Sequence, residues 1–341
     1  ATLGALIGAV SFSGSVVAWA KLQGVMKSAF RLPAQNAVNI VLALATVGLG
    51  AAIVIAPQID PMLVGAFFVL ALILGMVIAL PIGGADMPVV ISLLNAMTGL
   101  SAAAAGIALD NTALIVAGMI VGASGSILTN LMAKAMNRSI PAIVFGSFGA
   151  GPDGTAGGGA GGAGGTVKAT SAADAAIQMA YANQVIVVPG YGLAVAQAQH
   201  AVKEMAALLE AKGVEVKYAI HPVAGRMPGH MNVLLAEADV AYDAMKEMDD
   251  INGEFSRTDV AIVIGANDVT NPAARNDPSS PIFGMPILNV DEARSVIVLK
   301  RSMSSGYAGI DNPLFFGEGT SMLFGDAKKS VNGVIEELKA L

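Results

Sequence analysis

Long apolar stretches alternate with short polar loops over the first 138 residues of this sequence. Five stretches stand out: Leu3–Ala20, Ala37–Ala56, Met62–Leu80, Pro88–Leu109 and Thr112–Ala133. Each has close to the ~20 residues that an α-helix needs to cross the hydrocarbon core of a bilayer. The pattern therefore predicts an α-helical transmembrane bundle with five helices over residues 1–138.

The charges between these spans predict their orientation. Basic residues fall in two places: Lys21, Lys27 and Arg31 lie between the first and second spans, and Lys134 and Arg138 follow the fifth. The loops at 57–61 and 110–111 carry no basic residue. Because basic loops stay on the cytoplasmic side of a membrane, the loop Pro81–Met87 and everything after the fifth span are expected to be cytoplasmic.

Small residues recur at helical spacing in two of the spans: Gly4, Gly8, Ser11 and Ser15 in the first, and Gly118, Gly122, Ser126 and Asn130 in the fifth. In lipid such stripes let helix backbones approach closely. We expect them to pack helices, with a pore-lining role as the less favoured alternative.

Few polar residues lie inside or beside the spans. Ser92, Asn95 and Gly99 share one face of the fourth span, and Asp86 directly precedes it. A polar group at membrane depth is a functional hypothesis, because burying it without a partner is costly. The structural alternatives are an interhelical hydrogen bond for Asn95 and a helix N-cap for Asp86. If protons cross this domain, the titrating group is Asp86, water, or a group outside this sequence.

A glycine-rich segment separates this half from the rest. Gly149–Gly165 has no apolar residue larger than alanine, so it cannot bury surface and predicts a flexible linker, placed at residues 139–170. A phosphate-binding loop is the competing interpretation. It is disfavoured because no Lys-Ser or Lys-Thr pair closes the segment.

Helical and strand patterns alternate from residue 171 to residue 341. The predicted helices are Ser171–Asn183, Leu193–Lys212, Met231–Ala241 and Ala327–Leu341. The predicted strands are Val185–Val188, Val214–Ile220, Val260–Ile264, Ile287–Val290, Ser295–Leu299 and Ser321–Phe324. Short buried strands between helices are typical of an α/β domain with a doubly wound parallel sheet, the Rossmann-like arrangement.

Composition narrows the function classes. Only 13% of the residues are charged and the mean hydropathy is +0.67, whereas about a quarter of the residues of a soluble protein are charged. A net charge of −6 argues against a nucleic-acid partner, and the absence of cysteine excludes disulfides and thiolate metal sites. The pattern predicts no metal site.

The first strand of the second half runs into a turn with two glycines. Gly190 and Gly192 follow Val185–Val188, and a helical pattern begins there. This arrangement can hold a dinucleotide pyrophosphate on backbone N–H groups. The signal alone is weak, because the third small residue, Ala196, comes one place later than the usual spacing and Val195 occupies that slot.

The other strand ends add to this signal. No acid follows the second strand, in His221–Arg226, where a site for NAD would place one on the ribose, and Lys300-Arg301-Ser302 follows a later strand. Cations and a hydroxyl suit a 2′-phosphate, which favours NADP(H) over NAD(H). Met303–Phe316 suits a lid that closes on the ligand. The alternatives are a solvated strand end for Lys300 and Arg301, an ordinary loop for Met303–Phe316, and core and turn roles for His221 and Asp268.

Several of these motifs resemble one family. They are Val188–Gly192, His221–Leu235, Gly265–Asp268, Lys300–Phe316 and, in the membrane half, Gly83–Val90. Together they are similar to the β subunit of proton-translocating NAD(P)+ transhydrogenase, over nearly the whole chain. The resemblance implies NADP(H) bound to this chain, NAD(H) bound to a separate domain of an α subunit, and hydride transfer coupled to proton movement. It also implies a dimer of αβ units among the lipids of a bacterial inner (plasma) membrane.

The resemblance also implies roles for individual residues. Asp268, Asp86 and Asn95 would serve proton coupling, with Asp268 and the lid as the switching parts. The residues expected to bind the cofactor are Gly190, Tyr191, Gly192, Ala194, Val195, Ala196, His221, Val223, Ala224, Gly225, Arg226, Met227, Pro228, Gly265, Ala266, Asn267, Asp268, Lys300, Arg301, Ser302, Gly306, Tyr307, Ala308, Gly309 and Asp326.

Two departures from the family limit what this sequence is expected to do. Family members carry further N-terminal spans, with a histidine that relays the proton, and an NAD(H) site on a partner. This sequence contains neither, so we expect it to bind NADP(H) but not to catalyse coupled transhydrogenation alone. The alternatives are a transporter or channel with a regulatory NADP(H)-binding domain and, ranked last, a reductase with a membrane anchor.

Overall fold

The chain divides into two compact units. The computed structural model describes residues 1–23, 25–26, 34–56, 58, 60–83, 86–145, 167–225, 227, 229–306 and 308–341. Among these, the first unit takes residues 1–134 and 138–145, and the second takes 135–137 and 167–341. After the predictions made above, they are called the membrane unit and the nucleotide unit.

Five long helices build the membrane unit: α1 (Thr2–Leu22), α2 (Gln35–Ile55), α3 (Pro61–Ala79), α4 (Met87–Ala108) and α5 (Thr112–Ala135). All five are long and apolar enough to cross a membrane. Their bounds lie within two residues of the predicted spans, so the predicted helical bundle is confirmed. Many large apolar side chains on α2 and α5 face outward, as expected where lipid replaces water.

Glycines set the close contacts between these helices. A Cβ added at Gly99 on α4 would lie 2.5 Å from the backbone nitrogen of Gly122 on α5, and one at Gly75 on α3 would lie 2.4 Å from the carbonyl oxygen of Val10 on α1. A hydrogen bond between side-chain hydroxyls also joins α5 to α4, because Thr129 Oγ1 donates to Ser92 Oγ at 3.0 Å. The packing predicted for the stripe in α5 is therefore observed at Gly122.

A short helix, α6 (Ile140–Phe145), lies within the segment predicted as a linker. The glycine-rich stretch itself, Gly149–Gly165, lies outside the described residues. The predicted boundaries of the linker, at 139 and 170, stay a prediction.

The nucleotide unit is a parallel α/β domain. Its elements after α6 are α7 (Ala172–Ala180), β1 (Gln184–Pro189), α8 (Tyr191–Ala196), α9 (Gln199–Ala211), β2 (Glu215–Ile220), α10 (His230–Glu237), β3 (Met245–Glu247), α11 (Met248–Ile251), β4 (Val260–Ile264), α12 (Ala273–Asn276), β5 (Ser295–Lys300), β6 (Thr320–Phe324) and α13 (Ala327–Ala340). The strand order is β3-β2-β1-β4-β5-β6, and each paired neighbour is parallel. This confirms the predicted doubly wound sheet.

Burial explains why these strands form. Every residue of β1 and β4 is buried, as expected for central strands that are covered by helices on both faces. The helix α13 presents Val331, Val334 and Leu338 to the core and its charged residues to solvent. Large apolar side chains from α9, such as Met205 and Leu209, complete the same core.

Two predicted elements of this unit were wrong, and one observed strand was not predicted. The predicted helix Leu193–Lys212 is two helices, because Gln197 adopts a left-handed conformation (φ 49°) between α8 and α9. The predicted strand Ile287–Val290 is a loop: its buried residue Leu288 donates its N–H to the carbonyl of Val269 instead of joining the sheet. The short edge strand β3 was not predicted, since its three residues Met-Lys-Glu carry no apolar run.

Candidate functional site

The crevice lies between β1 and β4, where the order in which strands are added to the sheet reverses. From β1 the chain builds the sheet outward through β2 and β3, and from β4 it builds the other way through β5 and β6. The loops after β1 and β4 therefore leave in opposite directions, which opens a crevice beyond their carboxyl ends. The predicted turns at 190–196, 221–225, 265–268 and 300–316 follow β1, β2, β4 and β5, so the topology places them on this one edge.

Backbone-to-backbone contact forms the floor of the crevice, defined as Gly190, Gly192, Gly265 and Ala266. A Cβ added at Gly190 would lie 2.4 Å from Ala266 Cα, and one at Gly192 would lie 2.7 Å from Gly265 Cα. The N–H of Gly190 donates to Ile264 at 2.9 Å, and that of Gly192 donates to Gly265 at 3.0 Å. These two N–H groups are thus used inside the protein and not for a pyrophosphate. The glycines are needed so that the two turns can touch.

The three residues after this turn differ in exposure. Ala194 and Ala196 pack against the hydrophobic core, whereas Val195 is half exposed. The displaced small residue Ala196 therefore serves the contact between α8 and the core, the role that the third glycine has in the usual fingerprint.

His221, after β2, is fixed in one neutral form. Its Nδ1 accepts the N–H of Val223 at 3.2 Å, and its Nε2 lies 2.9 Å from the carbonyl oxygen of Pro286. An N–H can only donate and a carbonyl can only accept, so the proton is on Nε2. Burial lowers the pKa of His221 from 6.5 to about 4, and the bond to Pro286 offsets this only in part. His221 therefore connects the loop after β2 to the loop at Pro286 through a buried hydrogen bond.

The rest of this loop surrounds His230. A Cβ added at Gly225, which has a φ of +109°, would lie 2.5 Å from His230 Nδ1. Ala224 is buried and Met227 is partly exposed. Arg226 and Pro228, both predicted to bind the cofactor, lie outside the described residues, as does Tyr307 of the lid.

The cationic strand end after β5 is partly enclosed. Lys300 Nζ lies 4.5 Å from the centre of the Phe315 ring and donates to the carbonyl of Ser304. Burial lowers the pKa of Lys300, and the negative charges of Asp268 and Asp311 oppose that shift. Arg301 and Ser302 are exposed. Lys300, which is partly enclosed, and the exposed residues Arg301 and Ser302 beside it offer two cations and a hydroxyl, a set that can bind a phosphate.

The Asp268 carboxylate lies directly against the predicted lid. Its Oδ2 accepts the N–H of Ala308 at 3.0 Å, and a Cβ added at Gly306 would lie 2.4 Å from its Oδ1. Gly309, one residue beyond Ala308, has a φ of +71° and no neighbour where a side chain would be. The structure thus brings together Asp268 and the lid, which the sequence placed in separate loops.

A small cavity lies between the turn after β4 and the lid. Its lining includes Asn267, Lys300, Ser305, Asp311 and Asn312. Asn267 Nδ2 is buried and has no hydrogen-bond partner within the described part of the chain. A buried donor without a partner is uncommon in folded proteins and is a feature of ligand sites.

Two site residues were missed by sequence reasoning. Asn271 and Asn312 are both buried, and each bridges the turn after β4 to the lid. The available signal was the Asn-Pro pair, which occurs at Asn271-Pro272 and again at Asn312-Pro313 and marks a turn with a fixed asparagine.

Asp326, which was predicted to bind the cofactor, has a structural task. It is the N-cap of α13, and its Oδ1 accepts the N–H of Lys329 at 3.2 Å. Its contribution to cofactor binding stays a prediction.

In the membrane unit, Asp86 is fully buried at the start of α4. Both of its carboxylate oxygens accept from Arg138 Nη1, at 2.8 and 2.7 Å, and Arg138 Nη2 donates to the carbonyl of Ala142 at 3.1 Å. Asp86 is the N-cap by position, but its side chain makes no capping hydrogen bond. Sequence reasoning used Arg138 only to orient the spans and missed it as the partner of Asp86.

The other predicted polar residues of α4 are not all on one buried face. Ser92 and Gly99 are buried against α5, whereas Asn95 is exposed and makes no side-chain hydrogen bond to the described residues. The interhelical bond that was one alternative for Asn95 is therefore not formed among them. At the end of α1, Lys21 Nζ donates to the carbonyls of Ala79, Leu80 and Ile82, where α3 ends.

These features define a class: a membrane protein that carries a parallel α/β unit with a crevice at the carboxyl edge of its sheet. Residues 1–337 match the family described as NAD(P) transhydrogenase beta subunit. Two curated relatives, both named NAD(P) transhydrogenase subunit beta and both from Rhodospirillum rubrum, are each 55% identical to this chain over 338 residues. The alignment covers 99% of this chain and 72% of each relative. The chain belongs to the NAD(P) transhydrogenase beta subunit family.

Membership of this family confirms the predicted family and its class of enzyme, a transhydrogenase of the membrane. The name implies use of a nicotinamide nucleotide and a partner α subunit. A channel with a regulatory nucleotide domain and an anchored reductase are not favoured.

Proposed function

We propose that this chain binds NADP(H) in the crevice and, with NAD(H) on the α subunit, takes part in hydride transfer coupled to proton movement across the membrane. The observation that carries the proposal is the combination of Lys300, Arg301 and Ser302 at the end of β5 with no acid in the loop 221–231 after β2. A dinucleotide site for NAD uses an acid there for the ribose hydroxyl, whereas a 2′-phosphate needs cations.

The crevice fits such a nucleotide in three further ways. Its floor carries no side chain larger than the methyl group of Ala266, so a ligand can lie close to backbone. Asn267 offers a buried donor that needs an acceptor. Ser305 of the lid and Lys300 at the end of β5 line the same cavity. Oxygen-rich, negatively charged ligands match this set of donors and cations.

The protein's task in the reaction is positioning. The bound nucleotides supply the hydride chemistry, and this chain holds one of them, excludes water from it with the lid and times its release. Asp268 is the proposed switching group, because its carboxylate accepts the N–H of Ala308 in the lid. Protonation of Asp268 removes the charge from that acceptor and weakens the hold on the lid.

A second titrating group is proposed in the membrane unit. The Asp86 carboxylate is paired with Arg138 in this structure, and uptake of a proton by Asp86 would release the guanidinium. A group that changes partner on protonation can bias two states of the protein. Asn95, exposed on α4, is proposed to serve the same path.

The orientation and assembly are proposed as well. The positive-inside rule applied to Lys21, Lys134 and Arg138 supports a cytoplasmic position for the nucleotide unit, in a bacterial inner membrane. The dimer of αβ units follows from the family resemblance alone and stays a prediction.

The cofactor assignment is tested with the full-length β subunit assembled with its α subunit. Arg301→Ala is expected to raise the KM for NADPH roughly tenfold, as for the loss of one charged hydrogen bond, and to weaken competition by 2′,5′-ADP. The KM for NADH, which binds elsewhere, serves as the internal control. An unchanged KM for NADPH together with a raised KM for NADH would refute the assignment.

A further inference from the structure

We infer that Asn312 is a positioning residue: it fixes the amide orientation of Asn267 and thereby decides that the crevice presents a donor, not an acceptor, to the nucleotide. This inference rests on the proposed function, because it concerns how the same site recognises its ligand. It follows from a chain of hydrogen bonds in which the direction of each bond is set by the one before.

The first link cannot be reversed. Asn312 is the N-cap of the 3₁₀ turn at Pro313–Phe316, and its Oδ1 accepts the N–H of Leu314 at 3.0 Å. A backbone N–H can only donate, so the oxygen of the Asn312 amide must face it. The NH₂ group of Asn312 is therefore directed the other way.

The second link passes this orientation to Asn267. Asn312 Nδ2 donates to both Asn267 oxygens, the backbone carbonyl and Oδ1, at 3.1 Å each. A flipped Asn267 amide would set two NH₂ groups against each other. Asn267 Oδ1 must consequently face Asn312, and Asn267 Nδ2 must face away from it.

The last link ends at the cavity. Asn267 Nδ2 is buried without a partner in the described part of the chain, and Asn267 lines the cavity together with Lys300 and Ser305. An unsatisfied buried donor is costly, so this group is stable only with an acceptor opposite it. The acceptor class is an oxygen of the bound nucleotide, such as a phosphate, ribose or carboxamide oxygen.

A matching pair of bonds keeps Asn312 in place. Asn271 Nδ2 donates to the carbonyl of Asp311 at 3.1 Å, and its Oδ1 accepts the N–H of Ala273 at 3.0 Å. Both asparagines precede a proline, which favours extended backbone before it, and both are extended, with φ −90° and ψ 111° at Asn271 and φ −109° and ψ 108° at Asn312. The two Asn-Pro pairs thus hold one end of the lid at a fixed distance from the turn after β4.

The test removes the second link and keeps the first. In Asn312→Ser the hydroxyl still accepts at the N-cap, but nothing donates to Asn267 Oδ1, so the Asn267 amide can rotate. NADPH binding to the assembled enzyme, followed by fluorescence titration, is expected to weaken roughly tenfold. Asn312→Asp, which makes Asn267 turn its NH₂ group inward, is expected to weaken it further.

A double-mutant cycle separates this role from a general loss of structure. If Asn312 acts through Asn267, the double variant Asn312→Ser/Asn267→Ala binds NADPH no more weakly than Asn267→Ala alone. Two independent contributions, which would multiply, overturn the inference. A second double variant, Asn312→Asp/Asn267→Ala, controls for the added charge. If the new carboxylate weakens binding by repelling the nucleotide and not through the Asn267 amide, its effect persists in this variant and overturns the inference.

Asn252 offers a matched control in the same unit. It likewise bridges two segments, because its Nδ2 donates to Ile287 and its Oδ1 accepts from Asn289, each at 3.0 Å. Asn252→Ser is expected to leave NADPH affinity within twofold, about the scatter of neutral changes. An equal loss in Asn252→Ser would show a nonspecific effect and overturn the inference. Failure of the wild-type enzyme to bind NADPH on this chain would instead overturn the proposed function.

Discussion

The membrane unit and the crevice of the nucleotide unit differ in how their buried polar groups are paired. In the membrane unit the buried carboxylate of Asp86 has a full charge partner in Arg138, and the ammonium of Lys21 is surrounded by carbonyls. In the nucleotide unit the Asn267 donor of the cavity has no partner among the described residues. The same cavity is lined by Lys300, whose pKa is lowered by burial.

The difference follows from the two surroundings. No water is available in lipid, so a polar group buried in the bundle needs a partner inside the protein, and a change of partner is itself a signal. The crevice lies at the edge of a sheet, and an open crevice is hydrated until a ligand binds, so a donor without a protein partner is tolerated there. A paired group such as Asp86 therefore indicates a switch or a fixed structural contact, and the unpaired Asn267 donor indicates a ligand site.

The largest expected effect tests the charge pair of the membrane unit. Arg138→Met leaves a buried charge on Asp86 and is expected to lower the free energy of unfolding of that unit by about 3–5 kcal/mol. The double variant Arg138→Met/Asp86→Asn, which has no charge left to bury, should recover most of this loss. Thermal unfolding of the full-length subunit in detergent checks both, and a double variant as unstable as the single one would contradict the role given to the pair.

A smaller effect tests the paired histidine of the nucleotide unit. The folded pKa of His221 is about 4 against 6.5 for the free side chain, so the unfolded chain takes up the proton first. Its contribution to stability is complete above about pH 6.5, falls as the pH drops below that, and is fully lost below about pH 4, a difference of about 3 kcal/mol. Protonation would also place a proton on Nδ1, facing the N–H of Val223.

This prediction is checked by measuring unfolding free energy against pH for the wild type and for His221→Gln. The variant should lose the slope between the two pKa values. His200, which is exposed on α9, is the control: His200→Gln should keep the slope. A slope that persists without His221 would show that another group is responsible.

The smallest effect tests whether Asp268 is a switch. A charged acceptor holds an N–H more strongly than a neutral one by about 1 kcal/mol, so NADPH affinity of the wild type should fall roughly fivefold as Asp268 takes up a proton. Asp268→Asn keeps an acceptor for Ala308 but cannot titrate, so the pH dependence of its NADPH affinity should differ from that of the wild type by the part that Asp268 contributes. An Asp268→Asn enzyme with the pH profile of the wild type would remove Asp268 from the coupling.

Much of the fold was predictable because its signals are local. The five spans follow from hydropathy, and the central strands follow from runs such as Val260–Ile264, which are buried on both faces. The break at Gln197 could not be predicted, since a left-handed glutamine has no composition signal and the apolar pattern continues across it. Ile287–Val290 has the apolar pattern of a strand, but its backbone partners are Val269 and Asn252, outside the sheet.

The site was predictable only at the level of loops. Parallel strands bring their carboxyl ends to one edge, so Gly190, Asp268 and Lys300 could be grouped before any contact was known. Pairings between distant residues could not: Arg138 lies 52 positions from Asp86, and Asn312 lies 45 positions from Asn267. Such pairs depend on side-chain direction in the folded chain, which periodicity does not contain.

The backbone contact between Gly192 and Gly265 also limits how this crevice can be re-engineered. No side chain separates the two turns at this contact, so the distance between them is set by the thickness of two main chains. Any larger residue at Gly192 or Gly265 would push β1 and β4 apart. Attempts to change nucleotide preference should therefore leave the floor intact. The adjustable wall is the lid side, where Arg301, Ser302 and Met303 are exposed and can be exchanged without moving the sheet.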